Sequence, residues 1–583
     1  MDFILAEKPI QAAKIAYALE AKRKKHNGIS YYVGNQLVVG SAIGHLFNLQ
    51  PKGRGGWNQV SLSFEWVPVW VDKKKKKAKK FFECLKWLFS EYSFSRYIIG
   101  CDLDIEGSTI GFITLKKLGV PEEKMFRLKF HALTPREIRR AYSKIEPLDR
   151  SWVNAGCTRH FVDALYGINL TVLFTKALQK SLGRRKLISL GRVQTPTLKF
   201  VVQREKEIES FKPKKYWLLK AKILINGKEY TATHKIGKIY KKEIARQLYE
   251  KCKKATEGIV IQVQKAEEQL SPPLCFNLSS LQSEAWRIFK FTPNFTLKLA
   301  QQLYLQGLTS YPRTKTTTIK LTPYKQILTA LQKLEEYEKL IAKILSRKWR
   351  PRQGGYWDGA HIALTPTPTS REAKNERERK LLDLIRRRFI ATFYPPATKE
   401  KTYVDINIAE ELFQLVGVKL LHLGWLKAYP FTKIKQFILP ELAVHSKVKV
   451  KEIFLEENET LPPPRYTLSS LVKEMERNGI GTQATRAEIC MKLLQRKYLI
   501  SEKYQLKPTP LGIRLIETVE KYCGEIASIE MTRQLEKVLE GIESGHLSAE
   551  QARKQATLQI IHLTKNIQKN LCQIGSALIP ALA

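Results

Sequence analysis

The order of hydrophobic periodicities along this chain constrains its fold more than any single motif does. Apolar residues recur at mostly helical spacing from Arg136 to Glu209 and alternate at strand spacing from Tyr216 to Val263. They return to helical spacing from Leu278 to Arg388, alternate again from Thr402 to Val450, and are helical from Leu468 onward. Strand-rich blocks thus flank a helical block, and helical blocks flank those. This predicts a helical domain interrupted by a β domain, which is itself interrupted by a second helical domain. Pro462-Pro463-Pro464 and Ser271-Pro272-Pro273 are candidate joints. No repeat of about 20–50 residues is present. A length of 583 residues leaves room for about four domains.

Two strand–turn–helix units precede these blocks. Phe3-Ile4-Leu5-Ala6 runs into Glu7-Lys8-Pro9 and then into helical spacing from Ile10 to Lys22, with Pro9 suited to a first helical turn. Arg96 to Cys101 runs into Asp102-Leu103-Asp104-Ile105-Glu106-Gly107, followed by a helix from Ser108 to Leu118. Carboxylates just past both strands predict a parallel α/β sheet with a ligand site at that edge. Asp102, Asp104 and Glu106, with Glu7 from the other unit, form a hard-oxygen set suited to Mg²⁺. Beside such a site Lys8 suits a phosphate oxygen, and Glu7 can exchange a proton with a leaving hydroxyl. The plain alternatives are a helix-capping acidic turn and a surface ion pair.

Charge defines the partner class. Lys plus Arg is 100 against 55 Asp plus Glu, a formal net charge of +45. An excess spread this evenly favours a polyanion, because each neutralised phosphate releases condensed counterions. The densest run, Lys73 to Lys80, is expected to be an exposed, flexible segment. Eight cysteines without a C-x-x-C pair argue against a disulfide scaffold and a zinc ribbon. No apolar run approaches about 18 residues, and the first residues lack signal-peptide features, so a cytoplasmic protein with no membrane contact is expected. The phosphate loop, dinucleotide fingerprint and H-E-x-x-H motif are missing, which argues against an ATP-driven motor and a zinc hydrolase.

Three further segments carry chemistry. Gly307-Leu308-Thr309-Ser310-Tyr311-Pro312-Arg313-Thr314 sets a phenol beside a guanidinium able to stabilise both phenolate and phosphate, a sensible pair for attack on phosphorus. His361, in His361-Ile362-Ala363-Leu364-Thr365-Pro366-Thr367, can hydrogen-bond a phosphate, although a lone histidine is more often structural. Arg465 to Gly512 reads as a helix-turn-helix with a β wing: helices at 468–478 and 484–496, then a strand pair over 499–506.

Taken in order, these pieces resemble a type IA DNA topoisomerase over nearly the whole chain, of the topoisomerase III or archaeal kind. Ala6-Glu7-Lys8-Pro9 and the Asp102–Gly107 segment look like the two halves of a Toprim domain. Ser189-Leu190-Gly191-Arg192-Val193-Gln194-Thr195-Pro196 resembles the family's S-x-G-R-V-Q-[ST] segment, and the Tyr311 segment its active-site motif. The His361 segment is similar to H-x-A-I-x-P-T. Gly479-Ile480-Gly481-Thr482-Gln483-Ala484-Thr485-Arg486-Ala487 is similar to G-I-G-T-P-A-T-R-A.

The resemblance implies a multidomain α/β, α and β fold, a Toprim domain with a toroidal core. Its parts would be a Toprim domain (1–145), a helical strand-binding base (146–212 and 461–583), a β arch (213–275 and 400–460) and a lid carrying Tyr311 (276–399). It implies attack by Tyr311 to give a 5′-phosphotyrosine, with Arg313, Lys8, Glu7 and His361 at the break. Mg²⁺ would lie on Glu7, Asp102 and Asp104, supported by Glu106. Arg159, Asp163, Ser189, Arg192, Gln194, Thr195, Thr482 and Arg486 would grip single-stranded DNA.

A monomer is expected, acting without ATP on single-stranded and negatively supercoiled DNA in a prokaryotic nucleoid, with a helicase as a candidate partner. The chain departs from the family pattern at Ser108, at Lys315-Thr316 after the tyrosine motif, and at His160, where a second arginine is common. The competing readings are the topoisomerase half of a split reverse gyrase, a Toprim nuclease and a non-catalytic basic DNA-binding protein.

Overall fold

The computed structural model describes residues 1–53, 59–320, 322–357 and 361–581. Phe3, Ile4, Leu5 and Ala6 have no exposed surface. The strand Asp2–Ala6 is therefore covered on both faces, which suits the centre of a parallel sheet. It pairs in parallel with Leu37–Ser41 and with Arg96–Ile99, and the latter pairs in parallel with Met125–Arg127. At its margins the sheet turns antiparallel, through Ile29–Val33 to Lys22–His26 on one side and to Glu146–Pro147 on the other. The parallel sheet expected from the sequence is thus a mixed one of seven strands. Asn27 and Gly28, at φ 47° and 79°, turn a tight hairpin, and so short a link permits only antiparallel pairing.

The helices of both units differ from the apolar spacing. The first spans Pro9–Ala18 and stops short of Lys22, with Glu20 at φ 59° turning the chain into the edge strand. The second, Ile105–Lys117, starts earlier than expected because the Asp104 carboxylate accepts from the Gly107 N–H at 2.6 Å and caps it. The lysine run is exposed but folded: Lys77 opens the helix Lys77–Glu91, whose Phe81, Phe82 and Leu85 are buried.

One helical cluster gathers Arg150–Leu182, Gln194–Glu209, Pro510–Cys523, Ala549–Lys569 and Leu571–Leu578 around Phe174, Leu198, Leu515 and Ile560. By length and composition Arg150–Leu182 is apolar enough to cross a membrane, but 72% of its apolar 18-residue window is buried inside the protein. The same core takes in Leu468–Arg477 and Arg486–Gln495, followed by the hairpin of Leu499–Glu502 with Gln505–Pro508.

The strands Lys215–Ile225, Lys228–His234, Glu411–His422, Ala397–Ile408, Glu257–Leu270 and Lys447–Glu459 close into a barrel in that order. Leu219, Ile223, Val260, Ile406 and Phe413 fill it. The helix Lys242–Cys252, hidden within a strand-like stretch of sequence, packs Ala245 and Cys252 inward. Between the two strand groups the chain forms a second helical cluster. Leu278–Phe289, Pro293–Leu305, Glu335–Ser346 and Glu376–Ala391 bury Leu281, Leu303, Tyr337 and Phe389 there.

Candidate active site

The carboxyl edge of the sheet is shaped by two close approaches. A Cβ on Gly107 would lie 2.2 Å from the carbonyl oxygen of Asp102, so only glycine lets the helix fold back onto that turn. A Cβ on Gly156 would lie 1.9 Å from Thr109 Oγ1, which is how Ile105–Lys117 comes against Arg150–Leu182. Below the turn, the fully buried Arg127 guanidinium donates to the carbonyls of Ile99 (2.9 Å), Cys101 (3.0 Å) and Asp102 (2.5 Å). A buried cation satisfied by three carbonyls fixes the backbone carrying Asp102.

Glu7 and Asp102 are buried at this edge. Lys8 Nζ lies 2.6 Å from Glu7 and 3.7 Å from Asp102. Burial lowers the proton affinity of Lys8, but Glu7 and Asp102 outweigh it and hold the ammonium above its ordinary range. Gln11 donates to Asp102 Oδ1 at 3.1 Å and accepts from the Glu7 backbone N–H at 3.0 Å, so it ties the two strand ends together. Burial, followed by the charge of Glu7, pushes the Asp102 carboxyl up to about 7. Carboxylates that repel one another, with oxygen donors alone, are a set that a hard divalent cation would neutralise.

Tyr311 reaches this cluster from the other side. Its N–H donates to the carbonyl of His131 at 2.8 Å, and Ser310 bonds to Thr365 and Ala363. The Tyr311 hydroxyl donates to Asp104 Oδ2 at 2.5 Å, and Arg313 Nη1 is 3.7 Å from the same oxygen. Tyr311 is 3% exposed; burial, then the Asp104 charge, holds its phenol well above the ordinary range. Arg313 Nε is buried with no protein hydrogen-bond partner, as suits a guanidinium awaiting an anion. His361 Nε2 is 2.5 Å from the Leu103 carbonyl, and its ring lies between those of Tyr311 and Trp152, at 6.3 and 6.2 Å. Gln301, from the helix before Tyr311, donates to Asp102 Oδ2 at 3.3 Å.

Residues 147–554 match a family described as DNA topoisomerase, and residues 2–133 match the Toprim domain. The chain belongs to the type IA DNA topoisomerases.

The DNA topoisomerase 1 of Methanothermobacter thermautotrophicus is 37% identical over 591 aligned positions, covering 100% of this chain and 81% of that protein. The protein of the same name from Pyrococcus horikoshii is also 37% identical, covering 99% and 85%. Full-length topoisomerase I from Thermotoga maritima superposes with a TM-score of 0.77 at 27% identity, over 97% of this chain and 90% of that one. This type IA topoisomerase is therefore a multidomain protein built from a Toprim domain, itself a metal-binding fold, and a toroidal core. It cleaves one DNA strand through a transient 5′-phosphotyrosine, passes a strand and religates, relaxing negative supercoils or decatenating without ATP.

Glu106 does not join the other acidic residues. Both its oxygens are taken by histidines, one by His45 and the other by His160 at 3.2 Å. Burial acts to raise the Glu106 pKa, but those two bonds hold the carboxyl far below its ordinary range.

Beside the residues expected to grip a strand, the structure reveals a partner the sequence did not. Glu536, on Ile529–Glu543, takes Arg159 at 3.0 Å and Arg192 at 2.7 Å, and Arg192 also bonds Asp163 at 2.5 Å. Despite its burial, the two guanidiniums bring the Glu536 carboxyl down to about 2. Gln194 donates to the carbonyl of Ser189 at 3.1 Å, and the Ser189 N–H donates to Tyr498 at 2.8 Å. Arg192, Thr195 and Arg486 are buried; Arg486 donates to the carbonyl of Ile480 and pairs with Glu476 at 3.4 Å. Thr482 bonds Thr485 through both its N–H and its hydroxyl.

Proposed function

We propose that Tyr311 is the nucleophile and that the residues around it carry the two half-reactions. The carrying observation is a convergence: the Tyr311 hydroxyl meets Asp104 while Arg313, with its unpartnered Nε, approaches the same carboxylate. The phenol oxygen forms a bond to phosphorus as the bond to the 3′ oxygen breaks; Asp104 takes the phenol proton, and Glu7 supplies one to the departing 3′ oxygen. Arg313 and Lys8 offset the charge gathering on the phosphate, with His361 beside them. The reverse step returns the 3′ hydroxyl to the phosphotyrosine, so no ATP is consumed.

Asp102, Asp104 and Glu7 would hold Mg²⁺, while Glu106, engaged by His45 and His160, would stay outside that set. Bound there, Mg²⁺ supplies positive charge beside the religating end. The divisions 1–145, 146–212 with 461–583, 213–275 with 400–460, and 276–399 are proposed as Toprim, base, arch and lid.

Because Tyr311 is buried, a strand reaches it only when the lid lifts. The contacts to be undone include the polar ones of Tyr311 with Asp104, Gln301 with Asp102, His361 with Leu103 and Lys315 with Glu540 at 3.0 Å, and the apolar packing of Tyr304 and Tyr311 with Ile4, Leu128 and Leu133. Arg159, Asp163, Ser189, Arg192, Gln194, Thr195, Thr482 and Arg486 would line the strand's path. Single-stranded or negatively supercoiled DNA is the proposed substrate and a monomer the working unit, cytoplasmic and nucleoid-associated, with a helicase as the partner that exposes strands.

The test is relaxation of negatively supercoiled plasmid with Mg²⁺ and without ATP. Linear or nicked DNA free of covalently attached protein would instead indicate a nuclease.

A further inference from the structure

Among the described residues, one group of three potential metal ligands has its donor atoms all within 4.8 Å of one another: His45, Glu106 and His160. It stands apart from the Asp102, Asp104 and Glu7 cluster. His45 follows the strand Leu37–Ser41, Glu106 lies in the first turn of Ile105–Lys117, and His160 projects from Arg150–Leu182. The two imidazole rings meet edge to face at 5.0 Å, and Trp66 packs on His160 at 5.4 Å. The three side chains are 23%, 33% and 25% exposed, so an ion can reach them from solvent.

We propose that His45, Glu106 and His160 form a second metal site, for a borderline divalent transition ion such as Zn²⁺ or Co²⁺ rather than Mg²⁺. Two imidazoles and one carboxylate are the donors such ions prefer, whereas Mg²⁺ takes oxygen donors and retains its waters. With bonds of about 2.0–2.1 Å, tetrahedral donors sit about 3.3 Å apart. The His160–Glu106 distance is already 3.2 Å, so side-chain rotation closes the set. Three protein ligands leave a fourth position for water. The ligands come from three separate segments, so the ion would rivet the acidic turn and the loop at His45 to the long helix. This goes beyond the assignment of Tyr311 and its neighbours and does not depend on it.

The test uses the full chain equilibrated with Co²⁺ in excess Mg²⁺. Metal content, the visible d–d spectrum and the melting temperature are read before and after Co²⁺ addition. The proposal expects about one Co²⁺ retained per chain, with a tetrahedral-type spectrum and a raised melting temperature. His160→Gln, which keeps a hydrogen bond to Glu106, should weaken Co²⁺ retention by at least about tenfold. His160→Arg and His45→Gln should do the same. Asp102→Asn with Asp104→Asn should leave Co²⁺ binding in place, which separates this site from the acidic cluster. The proposal is overturned if the folded wild-type chain retains no Co²⁺ above its Mg²⁺ background. It is equally overturned if retention survives in all three histidine variants.

Discussion

Replacing Tyr311 with phenylalanine removes a single oxygen and separates two roles of that residue. As nucleophile the phenol is indispensable, so covalent complex should vanish. As a closing contact it donates to the Asp104 carboxylate at 2.5 Å from a 3%-exposed position. A hydrogen bond to a charged group is worth about 1.5–3 kcal/mol. In the variant Asp104 keeps the Gly107 N–H at 2.6 Å and the Arg313 guanidinium, so it is not left stranded. Gln301 and His361 still bridge to the Asp102–Asp104 turn, which places the effect near the lower end of that range. Opening, and with it single-strand affinity, should therefore rise about tenfold, the factor that about 1.4 kcal/mol represents. Labelled oligonucleotide trapped under denaturing conditions reads the covalent complex, and fluorescence anisotropy of the same oligonucleotide reads affinity. A persisting covalent band refutes the nucleophile. Affinity weakened tenfold in the folded variant refutes the closing role.

Other consequences follow from the same contacts. Glu536→Ala leaves the Arg159 and Arg192 guanidiniums without their shared partner and should cost about 3–5 kcal/mol, read as a lower urea midpoint. The Glu536 carboxyl is depressed from its ordinary 4.5 to about 2, so its stabilisation is complete above pH 4.5 and is lost as pH falls through about 2; Glu536→Gln should flatten that part of the acid-unfolding curve. Asp102→Asn with Asp104→Asn should abolish plasmid relaxation and leave only a much slower oligonucleotide cleavage, since Lys8 and Arg313 remain but Asp104 no longer takes the phenol proton; near-normal relaxation would defeat the metal-site assignment. Single strands should be preferred over duplex, with affinity falling steeply as salt rises; equal affinity at about 0.15 M salt would count against a narrow basic cleft.

Much of the site was legible because its chemistry lies in short segments. Asp102 and Asp104 stand just past a strand with Gly107 at the fold-back, and Tyr311 is two residues from Arg313. Glu106 shows where local reading fails. Alternation placed it with the aspartates, yet Asp104 caps a helix that begins at Ile105, so Glu106 is rotated about 100° per residue away from them. It meets His45 and His160 instead, 61 and 54 residues away. Glu536 is one glutamate among several on an amphipathic helix, 344 and 377 residues from its arginines, so only the folded chain singles it out. Arg127 is one basic residue in a basic chain until its three carbonyl acceptors are seen. The sheet's antiparallel margin followed from Asn27-Gly28, a turn signal that the strand–helix rhythm masked.

The measurement closest to the central claim is the identity of the residue attached to DNA. Full-length enzyme is incubated with a single-stranded oligonucleotide and Mg²⁺, trapped by denaturation, digested with nuclease and protease, and analysed by tandem mass spectrometry. The account predicts one modified peptide, carrying a nucleotide joined through its 5′ phosphate to Tyr311. A nucleotide on any other residue, or one attached through a 3′ phosphate, would contradict it.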